Sequence, residues 1–112
     1  MYGMSESISR VVLLDQHLPA PLPVQRVEVR RISIEPHTAL GAHVHNGPVV
    51  GSILDGSVTY QIEGQPASVL RAGDVFYEPE EERIARFDAG EDGVTFLAYF
   101  LLSPGQEPQI KG

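Results

Sequence analysis

Gly41-Ala42-His43-Val44-His45-Asn46-Gly47-Pro48 is the stretch on which the reading of this chain turns. Along a β-strand, successive side chains point to opposite faces, so residues two apart share a face. His43 and His45 therefore stand side by side. Two neighbouring imidazoles are half of a transition-metal site, which needs three or four protein donors.

Outward from the pair, the chain reads as short strands with no long helix. Nine Pro and eleven Gly punctuate it, the pattern of a sandwich or barrel. Ile8 to Leu14 is read as a first apolar strand, followed by a stiff connection through Pro19, Pro21 and Pro23. Val24 to Ile34 is a long strand whose apolar residues change parity between Val29 and Ile32, which predicts a β-bulge near Arg30-Arg31. Asp55-Gly56 predicts a hairpin between Val49–Leu54 and Val58–Ile62. Gly64-Gln65-Pro66 turns into Ala67–Leu70, and Ala72-Gly73-Asp74 turns into Val75–Tyr77. A strand over Ile84–Phe87 precedes a loop at Ala89–Gly93. Val94 to Leu102 is the most apolar strand and is expected to be buried on both faces. Ser103 to Pro108 ends regular structure and leaves a loose tail. The expectation is one all-β domain over residues 1–112, built as a barrel of two antiparallel sheets.

Composition narrows the partners. At 112 residues with 42% hydrophobic content, the chain suits one globular core. Eight Lys and Arg against 15 Asp and Glu leave a net charge of −7. That balance argues against nucleic acid or an anionic membrane as partner, since both require a basic face. The absence of cysteine excludes disulfides, zinc-thiolate sites and thiol catalysis. Met1 to Glu6 does not read as a signal peptide and no long apolar run follows, so a cytoplasmic location is expected.

The spacing resembles that of the cupins, small jelly-roll barrels. Their first motif runs Gly, five residues, His-x-His, three or four residues, Glu, six residues, Gly. Here His43-Val44-His45, position 49 and Gly56 keep that count. Their second motif runs Gly, five residues, Pro-x-Gly, two residues, His, three residues, Asn, and Gly73 and Pro79 stand at the right separation. Gly73 to Pro79 and Leu101 to Gly105 are similar to single-domain conserved-barrel cupins of the cupin 2 type. The resemblance spans about Val27 to Pro108 and implies a cupin-type jelly roll. It implies metal ligands only at His43 and His45. His37 stands where the first Gly is usual, Val49 where the Glu ligand belongs, Glu81 where the motif has Gly, Ile84 at the third His and Asp88 at the Asn.

Glu78, Tyr77 and Gln61 are candidates to complete a site begun by the two imidazoles. The expected ligand pocket comprises Val49, Glu78, Ile84, Arg86, Tyr77 and Tyr60. Val49 and Ile84 make one corner apolar, as in most small-molecule sites. Arg86 shares the face of Ile84 if the strand is regular, where it would clamp a carboxylate or reach outward to the acidic run. Glu80 to Glu82 is read as a solvated turn, and His37 and His17 as surface residues. No nucleophile elbow or phosphate loop is present.

Three functions stay open. The first is a small-molecule-binding module with a reduced metal site on two His. The second is a metal-dependent dioxygenase, isomerase or decarboxylase acting on a small organic substrate. The third is a structural dimer without a site. The cofactor is one divalent transition metal (Zn, Ni, Fe or Mn) or none. A homodimer is expected because edge strands need cover, with Ile8–Leu14 lying across a partner's sheet.

Overall fold

Alternating apolar residues broken by Gly and Pro dictate strands, and the computed structural model contains strands and turns without helix over the residues it describes, 7–112. Met1 to Glu6, with the reading that they form no signal peptide, lie outside the described residues. The elements are β1 (Arg26–Ile34), β2 (His43–His45), β3 (Val49–Ile62), β4 (Ser68–Arg71), β5 (Val75–Glu78), β6 (Arg83–Leu102) and β7 (Ile110–Lys111). All seven pair antiparallel.

β3 and β6 form the frame, lying side by side from Val49↔Phe100 to Ile62↔Ile84. Midway the ladder slips, between Ile53 and Asp55 and again between Gly56 and Val58. Each strand changes its other neighbour there. β3 is flanked by β5 before the slip and by β4 after it. β6 is flanked by β2 before and by β1 after. The strands thus pass from one sheet to the other through bulges, as corners of sandwiches require. Order β1-β6-β3-β5 makes one layer, and β7-β2-β6-β3-β4 makes the other.

This corner explains two differences from the sequence reading. Asp55-Gly56 makes no hairpin, and Ala89–Gly93 makes no loop; both lie inside continuous strands. Gly56 and Gly93 have φ of 78° and 74°, a region that favours glycine. They also touch: a Cβ on Gly56 would fall 2.0 Å from the Gly93 carbonyl oxygen. The turn signals were real, but each serves the other strand's bend.

The parity change in β1 has a different origin from the expected bulge. β1 pairs with β6 without a slip from Arg26↔Leu102 to Ile34↔Val94. Ile32 and Ile34 pack on the core, whereas Val27 and Val29 stay about half exposed on the outer side. Glu28 and Arg30 take the inward parity and pair with each other. Ile8–Leu14 forms no strand, and Val11 and Val12 are 75% and 79% exposed. Apolar β-type residues form a strand only against a sheet edge, and none within the described chain meets them. The Val94–Leu102 stretch alternates buried and half-buried positions instead of burying both faces. Beyond Pro108 the tail is not loose: Ile110 and Lys111 pair with His45 and Val44.

The layers close on Phe76, Phe87 and Phe96, whose ring centroids lie 5.1–5.9 Å apart. Tyr60 joins them 5.9 Å from Phe76. Phe87 and Phe96 of this cluster also reach toward the histidine strand. Among the described residues, no helix is long and apolar enough to cross a membrane.

Candidate metal centre

β2 is three residues long, and its alternation buries His43 and His45 while leaving Val44 half-buried between them. The two rings meet edge to face, with centroids 5.0 Å apart. Across the barrel, β5 ends at Glu78, and Pro79 follows. A strand running inward by alternate residues buries Phe76 and then Glu78. Glu78 stands directly opposite Val49 in the β3–β5 ladder. All three side chains are less than a tenth exposed.

The carboxylate spans the two rings. Glu78 Oε1 lies 3.2 Å from His43 Nε2, and Oε2 lies 3.3 Å from His45 Nε2. One nitrogen or oxygen from each residue falls within 4.8 Å of the others, which makes a group able to hold a metal ion. His43 Nδ1 lies 3.1 Å from the Gly41 carbonyl oxygen and, having only an acceptor there, donates to it. That bond assigns the remaining nitrogen, Nε2, to the carboxylate side, as outer partners orient metal-binding histidines generally.

Charge follows from this geometry. A carboxylate accepts only, so His43 bonds to it best as an imidazolium. The Glu78 hydrogen bond accordingly raises the His43 pKa above its ordinary 6.5, against the opposing effect of burial. Burial pushes the Glu78 carboxyl up, but the His43 hydrogen bond and the adjacent His45 ring outweigh it and hold the pKa below the ordinary 4.5. His45 Nε2, despite its nearness to Oε2, is out of hydrogen-bond alignment and is buried without a hydrogen-bond partner. Such an orphan is costly, and a cation between the three residues would satisfy it. The donor set fits a divalent ion: two imidazoles and a carboxylate are the protein ligands of open zinc sites and of the facial triad of non-haem iron.

The three donors sit in the wall of a cavity of about 140 Å³. The rest of its wall is apolar: Ile32, Leu40, Val49, Phe87, Phe96, Ala98, Phe100 and Ile110. Leu40, His43 and Ile110 also line an outer recess, so these residues form the neck between cavity and surface.

Of the residues read as a pocket from sequence, Val49 and Glu78 line this cavity with the two His. The others do not. Ile84 is fully buried opposite His43 and belongs to the core. Arg86 would share its face only on a regular strand, and β6 slips between Gln61↔Arg86 and Ile62↔Ile84. That bulge turns Arg86 outward to an ion pair with Asp88 at 3.0 Å. Tyr77 faces the opposite side of the sheet, in a shallow cleft with Gln16, His17 and Glu82. Tyr60 is a core residue whose hydroxyl donates to the Tyr77 carbonyl. Gln61 donates to the Gln65 carbonyl and takes no part in the site. The sequence reading missed Phe96, Ala98 and Phe100, although their period-2 spacing already puts them on one face. It also missed Ile110, which reaches the site through pairing with His45.

Both departures from the motif glycines keep the backbone that glycine would adopt. His37 has φ 57° and Glu81 has φ 59°. Glu81 thereby aims its N–H at the His45 carbonyl, 2.9 Å away. His37 is an exposed surface residue, as read from sequence.

No family model matches this sequence, and no curated protein matches it. Solved structures do match. A DMSP lyase from Ruegeria pomeroyi DSS-3 superposes with a TM-score of 0.66 at 17% identity, over 74% of this chain and 42% of that one. A cupin-like protein from Thermotoga maritima gives 0.63 at 22%, over 77% of this chain and 65% of that one. The fold is that of the cupins. A recombinant oxalate oxidase in complex with glycolate also superposes on this chain, with a TM-score of 0.63 at 23% identity, over 75% of this chain and 44% of that one. The chain spans less than half the length of either enzyme. Identities this low carry the fold alone.

Proposed function

We propose that this cupin holds one divalent transition metal on His43, His45 and Glu78 and acts on a small organic molecule at the ion's open positions. The observation that supports this reading is the convergence of three buried donors, one of them unpaired, on an apolar cavity. Three protein ligands are the number found in catalytic zinc sites, where structural sites use four. An ion there would supply Lewis acidity to a bound oxygen. The chain's own residues do the rest. Gly41 fixes the His43 ring, Phe87, Phe96 and Phe100 make the wall apolar, and Leu40 and Ile110 flank the way in. The reaction classes open to such a site are those of a dioxygenase, an isomerase or a decarboxylase.

Metal analysis of the purified protein tests the reading. About one ion per chain is expected, with loss of that ion in Glu78→Gln and in His43→Ala while the β-rich circular dichroism spectrum persists. A folded wild-type protein that takes up no Zn, Mn, Fe or Ni on reconstitution would leave a metal-free binding module or a structural dimer. The His43–Glu78 pair favours that second reading, because it already satisfies two of the three groups without an ion.

We also propose a homodimer, supported by the exposed apolar residues of the N-terminal segment and by Val27 and Val29 on the edge strand β1. Sedimentation that finds a monomer at about 50 μM, a concentration chosen to match ordinary protein–protein affinities, would rule it out.

A further inference from the structure

We infer that the molecule bound in the cavity is a small organic monoanion, a short-chain aliphatic acid with one charged end and an otherwise apolar body. The inference rests on the metal-site reading above and adds the class of ligand.

Three features of the wall carry it. The first is polarity. Among the described residues, His43, His45 and Glu78 are the only polar side chains lining the cavity, and all three are committed to the metal. Everything else is Ile, Leu, Val, Phe or Ala. No hydroxyl, amide or guanidinium in the wall can meet a second polar group on a ligand. Arg30, stacked 4.9 Å over the Phe100 ring, lies outside the lining and is paired with Glu28. A buried polar group without a partner costs heavily, so sugars, amino acids and diacids are disfavoured. Only the metal can receive a polar group, and it receives one end of the molecule.

The second feature is charge. A divalent ion, one carboxylate and two neutral imidazoles sum to one positive charge. A monoanion brings the buried site to neutrality. A dianion leaves a net negative charge among phenylalanines, and a neutral ligand leaves a net positive one; both carry a desolvation penalty.

The third feature is size. The cavity of about 140 Å³ is close to the roughly 150 Å³ apolar cavity that admits benzene. It therefore takes about six non-hydrogen atoms. Ala98 makes that room: its inward neighbours along β6 are Phe96 and Phe100, and its small side chain leaves the gap between them.

The test is calorimetric titration of Zn²⁺-loaded protein whose zinc content is measured before and after. The probes are acetate, propionate, butyrate and hexanoate, with succinate and butyramide as controls. Affinity should rise about fourfold per methylene from acetate to butyrate, the fold-change equivalent to about 0.8 kcal/mol per buried methylene. It should level off near hexanoate as the cavity fills. Succinate and butyramide should bind at least about tenfold more weakly than butyrate. Ala98→Leu, or Ala98→Val should the larger side chain impair folding, should still hold Zn²⁺ but lose the gain with chain length. Zinc-loaded protein that binds succinate as well as butyrate, or shows no chain-length dependence, overturns the inference and leaves the metal reading standing. A chain that takes up none of Zn, Mn, Fe or Ni overturns both.

Discussion

Val49 and Glu78 face each other across the β3–β5 ladder, and both side chains line the same cavity. Val49 occupies the position where the cupin motif has its glutamate, so the carboxylate has moved by one strand and still reaches both imidazoles. Directly opposed residues have Cβ atoms about 4.5–5.5 Å apart, a gap that the length of a glutamate side chain can bridge. Glu78→Val should therefore lower zinc affinity by about a hundredfold or more, since even losing an outer-shell partner costs about 10–100-fold. The exchange Val49→Glu with Glu78→Val should recover most of it. Competition against a zinc chelator measures both. A double variant as weak as the single one would mean that position 49 cannot reach the ion.

How far the sequence discloses this site depends on the range of the interaction. His43 and His45 are legible because period 2 is a local property of any strand. The turns at Gly64–Pro66 and Ala72–Asp74 are legible for the same reason and join β3 to β4 and β4 to β5. Glu78 is visible as a carboxylate at a strand end, but its partnership with Val49 depends on register between β3 and β5. Arg86 is misplaced because the β6 bulge shifts every following side chain by one face. Gly56 and Gly93 each look like a turn alone, and only their contact shows that they form a shared corner.

The His43–Glu78 pair gives the metal-free protein a definite pH profile. The pKa of His43 is raised, so its stabilising contribution is complete below the ordinary 6.5 and is lost as pH rises through the raised value. That of Glu78 is lowered, so its contribution is present above the ordinary 4.5 and is lost as pH falls through the lowered value. The pair thus helps most between these two ordinary values. Zinc reverses the upper limb, because binding displaces the His43 proton and strengthens with pH. Melting temperature in EDTA should fall as pH rises above the ordinary 6.5 of His43, and the shift produced by zinc should grow over the same range. A zinc-induced shift that shrinks with rising pH would exclude His43 as a ligand.

The shared corner should be among the least tolerant places in the barrel. Gly56→Ala places a Cβ 2.0 Å from the Gly93 carbonyl oxygen at φ 78°, whereas Gly64, at φ 84°, has open space around it. Gly64→Ala should cost about 1–2 kcal/mol from backbone conformation alone. Gly56→Ala should cost about 1–3 kcal/mol more, because β3 and β6 must separate. Urea unfolding of the two variants compares them directly. Equal losses would mean that the corner yields easily and does not fix the register of the two long strands.

Glycine should be better than the native residue at two positions near the site. His37 and Glu81 hold left-handed backbone at φ 57° and 59°, where an L-residue pays about 1–2 kcal/mol. Glycine avoids that penalty but loses about 0.5–1 kcal/mol more backbone entropy on folding. The balance predicts that Glu81→Gly stabilises the protein by up to about 1 kcal/mol. His37→Gly should gain less, because histidine tolerates this region better than most residues. Glu81→Ala is the control: it removes the carboxylate, keeps the strain and should give no such gain. An increase in urea midpoint at constant slope for Glu81→Gly alone is the expected result. Equal gains from Ala and Gly would point to relief of repulsion with Glu80 and Glu82, and the strained backbone that holds the Glu81 N–H against the His45 carbonyl would then carry no measurable energy.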